Sequence, residues 1–168
     1  MLKTARKIVV TGISASGKSL FARKIAEKLN IPILSLDSIM WKHGWTRVSD
    51  DKVDEILEEY SNKVEWIIEG YKVTRGSVLE KADLIIYLDY SRIVTSWWYI
   101  KRCWKHRTNA RPELPGSPDK FSFRFLKLIW DRKESFALNK RLFNIKDQKK
   151  IVTMPSPCET EIFLRNVY

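Results

Sequence analysis

The sequence predicts an α/β fold, a five-stranded parallel sheet with helices on both faces. Three observations point there. Short, almost wholly apolar runs rich in Ile, Val and Leu alternate with stretches of helical spacing. Strands without a polar face belong to a sheet buried on both sides. A glycine-containing stretch, Gly12 to Ser19, stands between the first apolar run and the first helical one. Finally, carboxylates close several runs, and in an open parallel sheet those ends line the ligand crevice.

Taken in order, Lys7 to Thr11 (KIVVT) reads as the first strand. Ser19 to Leu29 is a helix with Leu20, Ala22, Ile25, Ala26 and Leu29 apolar, stopped by Asn30-Ile31-Pro32. Ile33 to Leu36 is a second strand ending at Asp37. Ser49-Asp50-Asp51 opens a helix reaching about Tyr60, its acidic start matching the helix dipole. Glu65 to Glu69 (EWIIE) is a third strand, closed by Gly70. Leu84 to Leu88 (LIIYL) is a fourth, ending at Asp89, where Asp-x-Ser reads as capping chemistry for a helix from Ser91 to about Lys105. Residues 106–120 contain Pro112, Pro115, Gly116 and Pro118 and read as an irregular insertion of lid length. A long helix from Phe121 to about Phe143, a fifth strand from Lys150 to Thr153 and a short helix from Cys158 to Asn166 complete the chain. No repeat or linker interrupts it, so residues 1–168 are read as a single domain.

The glycine stretch carries the chemistry. Gly12-Ile13-Ser14-Ala15-Ser16-Gly17-Lys18-Ser19 matches G-x-x-x-x-G-K-[ST] at every fixed position, after a strand and before a helix, as the motif requires. Its glycines let the backbone approach phosphates closely, and the N–H groups of residues such as Ser14, Ala15, Ser16 and Leu20 turn toward them at a helix N-terminus. Lys18 would bridge the β- and γ-phosphates, and the Ser19 hydroxyl would ligate Mg²⁺. ATP with Mg²⁺ is the expected ligand pair.

Phosphoryl transfer also asks for carboxylates and cations. Asp37 and Glu69 stand at predicted strand ends; each fits a metal-shell or acceptor role, and each also fits a local turn contact. Arg102, Lys105, Arg107 and Arg111 open the insertion and could neutralise a migrating phosphoryl group as a lid closes; a solvated basic helix end fits them too. Trp41 and Trp45 flank His43-Gly44, where they would stack on a flat acceptor or roof the core, the former being favoured. Trp97, Trp98, Trp104 and Trp130 fall on helices and read as packing residues.

Composition bounds the rest. A chain of 168 residues, 44% hydrophobic and 30% charged, belongs to a soluble globular class. No apolar run approaches the roughly 18 residues that span a bilayer, and no membrane partner is expected. The basic start leads into only Ile8-Val9-Val10 before the glycine loop, too short for a secretion signal, so a cytoplasmic protein is expected. Cys103, Cys158, His43 and His106 show no metal-ligand spacing. The net charge of +11 is uneven: residues 101–150 hold 15 Lys or Arg against 5 Asp or Glu, whereas 51–100 hold 6 against 10. A polyanion is implied for the basic segment, and nucleotide phosphates, nucleic acid or a merely solvated face all fit.

GISASGKS, IPILSLD, WKHGW, WIIEGY and ADLIIYLD, followed by the basic stretch and FLKLIW, together resemble the DNA topology modulation proteins, small bacterial P-loop proteins similar to adenylate kinase and shikimate kinase. The resemblance covers roughly Lys7 to Trp130. It implies a strand order of 2-3-1-4-5 and a short arginine-rich lid spanning Arg102 to Arg111. It also implies an acceptor-side or magnesium-shell role for Asp37, an Asp-Gly-like pair at Glu69-Gly70, an acceptor-side cation at Arg75, and a turn from Met154 to Glu159, Pro157 included, beside the adenine. Two positions depart from the family pattern, Glu69 for Asp and Tyr71-Lys72 for Asn-Tyr, and the lid lacks a four-cysteine zinc set. The function expected is γ-phosphoryl transfer from ATP to a small acceptor such as a nucleoside monophosphate. The alternative is a nucleotide-dependent DNA-binding or regulatory protein, and bare ATP hydrolysis stands behind both.

Overall fold

A computed structural model describes residues 2, 4–71, 73, 77–108, 111, 114, 116–131 and 133–166, with backbone alone at 133 and 134. Its elements run β1 (Lys7–Gly12), α1 (Lys18–Leu29), β2 (Ile33–Ser35), α2 (Leu36–Met40), β3 (Trp41–Lys42), β4 (Thr46–Arg47), α3 (Asp50–Ser61), β5 (Trp66–Glu69) and α4 (Val78–Lys81). They continue with β6 (Leu84–Leu88), α5 (Arg92–Lys105), α6 (Phe123–Trp130), α7 (Lys133–Phe143), β7 (Ile151–Met154) and α8 (Pro157–Arg165).

Five parallel strands form the sheet in the order β2-β5-β1-β6-β7. These are the five expected strands. Their numbers differ because a short antiparallel ribbon, β3 with β4, intervenes in the chain. Successive residues of a strand face opposite sides, and β1 shows it. Ile8 and Val10 join Phe21, Ala22 and Ile25 of α1 in one buried cluster, with Leu84, Ile86 and Leu88. Val9 joins Ile68, Ile85, Trp66, Val53 and Leu57 on the other face, with Leu138 and Leu142.

Local chemistry sets the helix ends. Asn30, in a left-handed conformation, donates its N–H to Ala26 O and closes α1. Ser91, Ser122 and Ser156 accept backbone N–H bonds as N-caps of α5, α6 and α8.

Two expectations need correction. The second strand stops at Ser35, so Leu36 and Asp37 open α2 instead; Ser38 Oγ donates to Ser35 O at 2.7 Å and turns the chain there. The single helix expected from Phe121 to Phe143 is two, α6 and α7. They serve different cores: α6 packs Ile129, Phe125 and Leu126 with Tyr99 and Cys103 of α5, whereas α7 sends Leu138 and Leu142 under the sheet. Among the described residues no helix is long and apolar enough to cross a membrane.

Candidate active site

Parallel register assembles one rim. Ser35 and Val10 both pair with Glu69, Gly12 pairs with Leu88, and Leu88 with Met154. The carboxyl ends of all five strands therefore lie side by side. Thr11 Oγ1 donates to Gly70 O at 3.0 Å and Gly70 N–H to Val10 O at 3.1 Å, tying the chain after β5 to the strand that enters the loop.

The loop between β1 and α1 curls in a way its glycines permit. Ala15 and Gly17 have φ of 64° and 79°, left-handed values. A Cβ on Gly17 would lie 2.7 Å from the Trp98 ring, and one on Gly12 would lie 2.6 Å from Leu88 O. Lys18 Nζ donates to Ile13 O at 2.7 Å, across the mouth of the curl. Ser16 is fully buried, and its hydroxyl has no hydrogen-bond partner among the described residues. Unpaired buried hydroxyls are costly in a folded protein. A loop curled into a cradle against its neighbours, with such a hydroxyl inside and an ammonium at its edge, fits a nucleotide's phosphate tail. Ser14 is half-buried along the loop, and the Leu20 side chain points to solvent.

Glu69 faces this cradle. It is buried, accepts a 2.5 Å hydrogen bond from Ser35 Oγ and also bonds the Ser19 hydroxyl. Burial pushes its carboxyl above the ordinary range, while the nearby Lys18 ammonium and the two serines pull the other way. Lys18, Ser19 and Glu69 are thus brought together. Gly70, expected to touch substrate, abuts Leu36, whose Cβ would stand 2.5 Å from a Cβ at this position.

The insertion contributes a charged knot. Arg111 Nη1 lies 3.5 Å from Asp37 Oδ2, and Arg111 Nε lies 3.1 Å from Asp119 Oδ2. Arg102 Nε approaches the same Asp119 oxygen at 3.3 Å. Asp119 is buried, yet both Nε contacts are at ion-pair distance and off the hydrogen-bonding direction. Burial, and then the neighbouring Arg111, lower the Arg102 pKa from its ordinary value. Tyr99 anchors the return of the insertion: its hydroxyl, pushed up to about 12 chiefly by burial, accepts the Ser122 N–H at 2.8 Å.

Other expected site residues fall elsewhere. Arg107 is exposed. Trp41 and Trp45 pack edge to face on each other, with centroids 5.7 Å apart. Trp45 also holds the insertion, its backbone N–H donating to Ser117 Oγ and its indole N–H to Pro118 O, both at 3.2 Å. Gly116 presses on His43 so closely that a Cβ would sit 2.0 Å from the imidazole. Pro157 begins α8 just beyond the β7 end of the rim. Arg75 lies outside the described residues. Sequence reading missed Ser35 and Asp119; of these, Asp119 alone left a signal, as one of only two acids between Tyr90 and Trp130, with nine Lys or Arg around it, while Trp98, read as a packing residue, packs against Gly17.

No family profile and no curated protein matches the sequence. Solved structures do match in fold. A shikimate kinase from Bacteroides thetaiotaomicron superposes with a TM-score of 0.60 at 14% identity, over 98% of this chain and 97% of that one. A shikimate kinase from Aquifex aeolicus gives 0.55 at 16%, over 95% and 92%. A gluconokinase from Sinorhizobium meliloti gives 0.50 at 18%, over 96% and 89%. At these identities the likeness is one of architecture, and the chain has the three-layer fold of P-loop kinases.

Proposed function

We propose that the protein is a kinase that transfers the γ-phosphoryl group of ATP, with Mg²⁺, to a small acceptor such as a nucleoside monophosphate or another small hydroxyl or phosphate compound. The observation that carries this is the convergence of Lys18, Ser19 and Glu69 at the cradle, with half-buried Arg111 against Asp37 and half-buried Arg102 sharing Asp119 with it. The loop's N–H groups hold the phosphates, and Lys18 neutralises the charge spread over the transferred group. The Ser19 hydroxyl would hold Mg²⁺, which when bound withdraws charge from the phosphate oxygens. Asp37, half-exposed at the start of α2, accepts the acceptor's hydroxyl proton or joins the metal's water shell. Arg111, already against Asp37, brings a guanidinium to the same place, and Arg102 is held behind it. The resemblance to DNA topology modulation proteins agrees with this adenylate-kinase-like layout, and ATP use fits a cytoplasmic location. The inward turn of Arg102 and Arg111 favours it over a DNA-dependent role.

The test is ADP release over a panel of nucleoside monophosphates and small alcohols, with and without Mg²⁺. At least one acceptor should raise the rate tenfold or more above background hydrolysis, and Lys18→Ala should lower that rate by about 100-fold or more. Failure of every acceptor to exceed the hydrolysis background overturns the kinase reading.

A further inference from the structure

The outer face of α5 is apolar where a solvent-facing helix should be polar. Ile93, Trp97, Ile100 and Trp104 recur at helical spacing and are 74%, 56%, 42% and 74% exposed. The inner face is a separate apolar surface: Thr95, Tyr99 and Cys103 are buried there, and Trp98 backs the phosphate loop. The helix therefore carries one set of residues for the core and a second set that no described residue covers. Over the eleven residue steps from Ile93 to Trp104 the stripe is about 16 Å long.

Its surroundings are cationic without relief. α5 contains Arg92, Lys101, Arg102 and Lys105 and no acidic residue; α6 adds Arg124 and Lys127, again with none. Asp119, the one described carboxylate between Tyr90 and Trp130, is buried against Arg102 and Arg111. Lys101 Nζ stands 5.4 Å over the Trp97 ring, and Arg92 lies 5.4 Å from the ring of Trp130, whose backbone carbonyl its Nη1 also reaches. Trp130 and Phe123 of α6 are themselves exposed.

We infer that the outer face of α5, with the adjoining ends of α6, docks on an anionic lipid surface. Three features select that occupant. Like charge around the stripe opposes a second copy of this chain and favours an anionic partner. Two aliphatic Ile side chains on a convex helix ridge suit the acyl boundary, and neither offers a base a π-face to stack on. Trp rings carrying Lys or Arg over one face place an amphipathic ring and a cation together at the depth of lipid headgroups. The expectation of no membrane partner rested on the lack of a spanning run; a peripheral face needs none.

The experiment is co-sedimentation of the full chain with vesicles of phosphatidylglycerol and phosphatidylcholine, against vesicles of phosphatidylcholine alone, in low and high salt. Binding to the anionic vesicles should exceed that to the neutral ones at least tenfold and fall steeply with salt. Trp97→Ser with Trp104→Ser, and separately Lys101→Glu with Lys127→Glu, should each lower it about tenfold or more while the thermal melt stays within 2 °C, since all four side chains are exposed. Any of four results overturns the inference: no anionic-vesicle binding by the wild type at low salt, unchanged binding by both double variants, displacement from vesicles by single-stranded DNA at equal phosphate concentration, or a sedimentation-equilibrium dimer that the Trp substitutions dissolve.

Discussion

Glu69 is kept in a place that penalises its charge. Burial is the largest influence on its carboxyl and outweighs Lys18, Ser35 and Ser19. The folded state therefore binds this proton more tightly than the unfolded chain, whose carboxyl sits near 4.5. The stability so gained is full below that value and drains away as pH rises through the raised one. Glu69→Gln keeps an acceptor for both serines and removes the buried charge. On the alkaline side of 4.5 it should raise the melting temperature and flatten the loss of stability with pH. Catalysis should fall at the same time, and a melting series from pH 4 to 9 checks the first part. Asp119 is the opposite case. It pairs with two guanidinium groups, and Asp119→Asn leaves both with a neutral neighbour in a buried setting. The cost should be about 3 kcal/mol, a melting point some 6–12 °C lower, with kcat reduced far more than ATP affinity. Lys18, Ser19 and Glu69 were legible because motif and strand-end position both mark them. Asp119 was not, since burial is invisible in an irregular, proline-rich segment. The contact of Trp45 with residues 117 and 118 was not legible, because an aromatic beside a glycine turn looks the same whether it faces a substrate or the protein's own loop.

At the scale of elements, the strands were read almost to the residue, because an apolar run closed by Gly or Asp has few other uses in this fold. The helices after the insertion were not. The two residues between α6 and α7, Asp131 and Arg132, are neither Gly nor Pro, and the break comes from two cores competing for one stretch of chain. Leu138 is buried beneath the sheet while Phe136, two residues earlier, is 75% exposed. Leu138→Ala should cost about 2–4 kcal/mol in urea unfolding and Phe136→Ala less than about 0.5, a contrast that a continuous helix lying on α5 alone would not produce.

For the whole molecule, the sheet order puts β1 in the middle, with α1 and α5 both braced against the loop that follows it. Ligand capture there should be felt globally. Mg·ATP at 100 times its Kd should stabilise the fold by about 2.7 kcal/mol, which for a chain of this size raises the melting temperature by about 5–10 °C, and Lys18→Ala should erase most of the shift in a thermal scan. The stitching of Trp45 to Ser117 and Pro118, with Gly116 seated on His43, bears on motion. Two parts of the chain more than seventy residues apart are basted into one flap. On the proposed kinase reading, an acceptor that nudged the ribbon would drag the guanidinium-bearing segment with it, so that admission of the second reactant and expulsion of solvent would become a single mechanical event.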